Sequence, residues 1–173
     1  MDAAVSRLGS PMSHTVVDLV VPRLRLAAVA AAALLLGALP AAAQGPTGLW
    51  YDHTGRGAVE ISQCGSGLCG HIVWLKNLND KNGRPLVDIL NGDSKKRNKP
   101  ICGLQVIGGL KAQSDGSWDK GWIYDPEKGE SFDVELRMLT SGGLQVKGYK
   151  GVKFLNETFK WTRADALPTA RCK

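Results

Sequence analysis

The sequence predicts an all-β protein: an antiparallel up-and-down barrel of about eight strands with one long loop or short helix at residues 77–100. Three observations carry this. In "SFDVELRM" Phe132, Val134, Leu136 and Met138 alternate with Ser131, Asp133, Glu135 and Arg137, a period of two that gives a strand one core face and one wet face. Eight extended runs succeed one another after residue 47, most at short spacing. The links "QSDG" (113–116), "DPEKG" (125–129) and "SGG" (141–143) put proline or glycine where tight turns need them. Such strands, so joined, form a sandwich or barrel.

Residues 1–43 read as a secretory signal peptide. Arg23 and Arg25 precede "LAAVAAAALLLGAL", an apolar run of 14 residues at 26–39, shorter than the ~20 that span a bilayer as a helix. Pro40 and three alanines follow, with small residues placed for a signal peptidase. Cleavage is expected near Ala43. The alternative is an uncleaved anchor, and Met12 is a second candidate start. Residues 44–173 then form one domain of 130 residues, enough for a sizeable core. The chain carries a net charge of +6, and residues 44–173 hold 19 Lys and Arg against 14 Asp and Glu. The one dense basic cluster is "KKRNK", with Lys95, Lys96, Arg97 and Lys99. It reads as a solvated loop or, more sharply, as attraction to an anionic envelope surface. No aromatic residues interleave with it as stacking platforms for nucleic acid, so no nucleic-acid partner is expected.

The strands run in order as "GLWY", "GAVEISQ", "LCGHIVWLK", "GLQVIGGL", "WDKGWIYD", "SFDVELRML", "GLQVKGY" and "VKFLNETFKWTR". The second and third enclose "CGSGLC". Exported chains meet an oxidising compartment, where disulfides are the default. Cys64 and Cys69 would face each other across a glycine turn and staple the hairpin. A redox centre wants two intervening residues and a helix start; a zinc site wants more ligands than His53 and His71 supply. Four cysteines allow three connectivities. Pairing Cys64 with Cys69 leaves Cys102 with Cys172, a bridge that would tie the carboxyl terminus to the body. The connection at 77–100 is polar and long enough to carry structure of its own. Its "GDSKKRN" offers one helical turn capped by Asp93. Either it lies over a barrel mouth as a lid, or it is a surface loop pinned by a pairing such as Asp88 with Arg97.

The two ends of the strand series fit together. Gly48-x-Trp50 opens the first strand and Trp161-Thr-Arg163 closes the last. In a closed barrel these strands are neighbours, so Arg163 can cover Trp50 and seal one end, with Trp161 as a further floor piece. This arrangement resembles the lipocalin/calycin barrels. The stretches "GLWYD", "CGSGLCGHIVWLK", "NKPICGLQVIGGL", "WDKGWIYDPEKGESF", "LQVKGYKG" and "FKWTR" together resemble a family of small secreted bacterial proteins, domain of unknown function 2147. The resemblance implies a lipocalin-like barrel in the envelope or outside the cell, and carries no catalytic residue.

Three functions are weighed. The first is a barrel that binds a small hydrophobic or lipid-like ligand inside, lined by Ile72, Trp74, Trp122, Tyr124, Phe132, Val134, Leu144 and Val146; these side chains could equally fill the interior. The second is a non-enzymatic envelope scaffold with a filled barrel. The third, a hydrolase, is the weakest. His53 beside Asp52, with Lys150 and Glu157, are its only candidates, no serine stands in an elbow motif, and Glu60, Asp133 and Glu135 are explained as wet-face acids. No cofactor or metal motif stands out, and none is expected.

Overall fold

The structure, a computed structural model, describes residues 45–169, 171 and 172; the expected signal peptide and its cleavage point lie outside them. Eight strands, β1 (Gly48–Tyr51), β2 (Gly57–Cys64), β3 (Gly67–Leu75), β4 (Gln105–Ala112), β5 (Trp118–Asp125), β6 (Glu130–Met138), β7 (Leu144–Tyr149) and β8 (Asn156–Arg163), form a closed antiparallel barrel in up-and-down order. The expected fold class holds. One boundary moves: "VKFL" at 152–155 belongs to the β7–β8 loop, where the Leu155 amide donates to the Val152 carbonyl at 3.3 Å, and not to the last strand.

Up-and-down order puts four links at one end of the barrel and three, with the two strand termini, at the other. One end is solid. Trp50, Ile61, Leu68, Leu110, Leu136 and Leu144 are fully buried there. The Arg163 guanidinium lies 4.2 Å from the Trp50 ring centre and donates to the carbonyls of Thr47 (3.2 Å) and Gly45 (3.3 Å). The Trp50 indole N–H donates to the Pro46 carbonyl at 2.7 Å. Gly48 makes room for this. It has φ +120°, and a Cβ there would stand 2.7 Å from Arg163 Nη1. β1 and β8 pair at Trp50–Arg163 and Tyr51–Thr162.

Besides the register shifts between β3 and β4, two irregularities bear on the residues named from the sequence. Ala58 pairs with Trp74 while Val59 pairs with Ile72, so Val73 is an extra residue that bulges β3. In β5 the register shifts between Trp118 and Gly121, and Lys120 sits there at φ 64°. Beyond each bulge the alternation changes phase.

The disulfides are Cys64–Cys69 and Cys102–Cys172. The second holds a tail that crosses the outside of β1–β3. The Tyr51 hydroxyl donates to the Ala166 carbonyl at 3.1 Å, the Trp74 indole to Thr169 Oγ1 at 2.8 Å, and Arg171 pairs with Glu60 at 2.7 Å. The long connection carries bridges at Asn79–Pro85 and Val87–Pro100 and one 3-10 turn, Ser94–Lys96, capped by the Asp93 carboxylate. Asp88 does not pair with Arg97. It is fully buried, accepting from the Tyr124 hydroxyl and the Asn91 amide, each at 2.6 Å, while Arg97 donates to the Asn91 carbonyl. A buried carboxylate needs inward donors, and β5 supplies one.

Candidate ligand-binding cavity

The other end of the barrel is hollow. A cavity of about 940 Å³ opens between the β1–β2, β3–β4, β5–β6 and β7–β8 links. Its barrel wall is apolar, with Val59, Ile72, Val106, Ile123, Val146 and Phe159. Alternating strand faces supply these side chains: Ile123 pairs with Phe132 and Val146 with Phe159, so each pair presents both members inward. The long connection adds Leu86, Val87, Ile89 and Leu90, and so lies over part of the mouth. Asp88 anchors this cover to Tyr124. Gly129 anchors it again: at φ +69°, a Cβ there would collide with the Leu90 carbonyl, so the β5–β6 turn and the cover meet backbone to backbone.

The residues named from sequence divide. Ile72, Tyr124, Phe132 and Val146 line the cavity. Val134 and Leu144 are fully buried in the packed core instead. Trp74 follows the β3 bulge and turns outward against Tyr51, ring centres 5.7 Å apart, and the carboxyl-terminal tail; Leu75 takes its place at the cavity. Trp122 lies on the outer wall, flat over Gly108, where a Cβ would stand 2.6 Å from the indole. It borders a shallower groove of about 670 Å³ between β5 and the connection. Trp161 reaches the cavity from below.

The rim is charged. Arg56 pairs with Glu127, Lys128 with Glu157, and Lys150 with Glu130. The ammoniums of Lys128 and Lys150 stand 5.6 and 4.8 Å from the Phe132 ring centre. His53 stacks on Phe159, centres 4.2 Å apart, while the Asp52 carboxylate accepts from the Thr54 amide and hydroxyl. The acids weighed for hydrolysis are engaged elsewhere: Glu60 with Arg171, Glu135 with Lys153, and Asp133 with the Gly151 amide. Among the described residues no helix is long and apolar enough to cross a membrane, and no group of three or more metal-ligating side chains gathers.

A family model described as "Uncharacterized protein conserved in bacteria (DUF2147)" matches residues 48–163. The chain belongs to the DUF2147 family. Among solved structures, this DUF2147 chain is similar to protein HP1028 from the human pathogen Helicobacter pylori, which belongs to the lipocalin family. The TM-score is 0.59 at 20% identity, over 69% of this chain and 82% of that one. At that identity the likeness establishes the fold, a lipocalin-like barrel. No curated protein matches the sequence.

Burial first, and then the hydrogen bond to Asp88, push the Tyr124 hydroxyl up to about 12; burial and Asp119 do the same for Tyr149. For a group raised from 10.0, the stabilisation is complete below pH 10 and lost as pH rises through the folded value. Ultraviolet titration of tyrosinate should therefore show two of the three tyrosines ionising near pH 12, with Tyr124 releasing the cover over the mouth. Titration of Tyr124 and Tyr149 near pH 10 would count against these two hydrogen bonds.

Sequence reasoning missed the cover's apolar contribution. The signal was present in "PLVDIL", four large apolar residues around one acid inside an otherwise polar connection.

Proposed function

We propose that the protein is exported and carries one small hydrophobic or lipid-like molecule in the open half of its barrel. The observation that carries this reading is the cavity of about 940 Å³, within the ~300–1,000 Å³ typical of small-molecule sites. Its apolar wall meets a charged rim. That pairing suits an amphiphile whose chain enters the barrel and whose polar group stays among Arg56, Lys128 and Lys150. Two disulfides support export, because such bridges persist in oxidising compartments. The cluster Lys95, Lys96, Arg97 and Lys99 is exposed, which supports attraction to an anionic envelope surface.

The test is binding of a fluorescent long-chain fatty acid, together with native mass spectrometry of protein expressed in a lipid-containing host. Saturable binding and a co-purified small molecule are expected. Val146→Trp would fill the cavity and weaken the probe about tenfold or more, at a stability cost of about 1–3 kcal/mol. Absence of both binding and co-purified molecules would favour the scaffold reading instead.

A further inference from the structure

Seven large apolar side chains are exposed among the described residues, and six of them stand on two loops at the open end of the barrel. Leu78, Ile89 and Leu90 are on the β3–β4 connection; Val152, Phe154 and Leu155 are on the β7–β8 loop. Phe154 is 82% exposed. Scattered apolar residues need no explanation, but their concentration at one pole does. They are also continuous with the interior, since Ile89, Leu90 and Leu155 line the cavity mouth.

The β7–β8 loop is braced rather than loose. Lys153 reaches the carboxylates of Asp119 and Glu135 on the outer wall, and Asp119 also accepts from the Tyr149 hydroxyl at 2.9 Å. These two acids are nearly buried. The loop is thus pinned at its middle while Val152 and Phe154, on either side of the pin, project into solvent.

Positive charge gathers at the same pole. The connection from 76 to 104 holds Lys76, Lys81, Arg84, Lys95, Lys96, Arg97 and Lys99 against three acids. Of those acids Asp88 is buried, Asp80 pairs with Arg84 and Asp93 lies near Lys96.

We infer that the open end docks on an anionic lipid bilayer. Phe154, Val152, Ile89 and Leu90 enter the boundary between headgroups and acyl chains, and the 95–99 cations rest on the phosphates. Projecting apolar tips with a cluster of cations on the neighbouring connection match an interface that yields to each tip and attracts charge; a protein partner would need a matching set of hollows. This deepens the carrier reading and rests on it for its purpose, because the docked mouth would open onto the membrane that supplies the ligand.

The experiment measures co-sedimentation of the full domain with vesicles of phosphatidylcholine alone or mixed with phosphatidylglycerol. In parallel, the fatty-acid probe is titrated in solution without vesicles. Binding is expected to the mixed vesicles and not to the neutral ones. Val152→Ser/Phe154→Ser and Lys95→Glu/Lys96→Glu should each weaken it about tenfold or more. Neither pair lines the hydrophobic cavity, apart from the contact of Lys96 with the outer groove, so probe binding should be unchanged. Parent protein that ignores both vesicles while binding the probe overturns the docking and leaves the carrier intact. Mixed-vesicle binding without probe binding keeps the docking and removes the carrier. Undiminished binding by Val152→Ser/Phe154→Ser, or tips that capture a protein partner and no vesicle, overturns the insertion.

Discussion

Replacement of both Cys102 and Cys172 by serine is expected to lower stability by about 4 kcal/mol, a fall of roughly 15 °C in Tm for a domain of this size. The bridge spans 70 residues of sequence, from the end of the cover to the end of the chain, and so removes much freedom from the unfolded state. Cys64–Cys69 spans only five, and its removal should cost about 2 kcal/mol. The larger loss has a structural signature. Without its tether, the tail that bonds Tyr51, Trp74 and Glu60 would fray, and the Trp74 emission would shift as the indole meets water. Urea unfolding of the two double variants gives the comparison. A change below about 1 kcal/mol for the long bridge would mean that the tail's hydrogen bonds alone hold it in place.

Arg163→Ala should cost about 2–3 kcal/mol. The side chain makes a cation–π contact with Trp50 at 4.2 Å and two hydrogen bonds to carbonyls, and its loss leaves those acceptors and the indole face open at the solid end. Arg163→Lys should recover less than half, since an ammonium can neither stack as a plane nor reach both carbonyls. Gly48→Ala approaches the same loss from the other partner, because its Cβ would press on Arg163 Nη1 at 2.7 Å from a left-handed backbone. A change below about 0.5 kcal/mol for Arg163→Ala, the size of an ordinary surface substitution, would show that β1 and β8 close without it.

The number, order and direction of the strands were legible in the sequence because a half-buried strand must alternate. The alternation in β6 is unbroken: Val134 and Leu136 are in the packed core and Phe132 lines the cavity above them. Trp74 and Trp122 were not legible, because a bulge inserts one residue and reverses every later side chain. Nothing in "HIVWLK" marks Val73 as the extra residue, and Lys120 carries its positive φ without a glycine to announce it. Val134 and Leu144 show a second gap. Periodicity gives the face of a strand but not the height along the barrel at which packing ends and the hollow begins. That height was partly readable, since residues paired near the Trp50 floor, such as Leu144 opposite Trp161, must fill it. The cover's contribution was hidden by the polar composition around it.

The barrel's circumference is not hooped evenly. β1 has four residues and β8 has eight, yet they share only the two pairs Trp50–Arg163 and Tyr51–Thr162. Above that seam the upper half of β8 has no strand beside it on the β1 side, and the His53–Phe159 ring stack stands in the gap. A cylinder parts along its narrowest weld. Among the described residues no strand hydrogen bonds bridge β1 and β8 above Tyr51–Thr162, so an opening of the seam from that side would meet the His53–Phe159 ring pair first. Under the carrier reading, that seam is where the wall of the hollow is least braced.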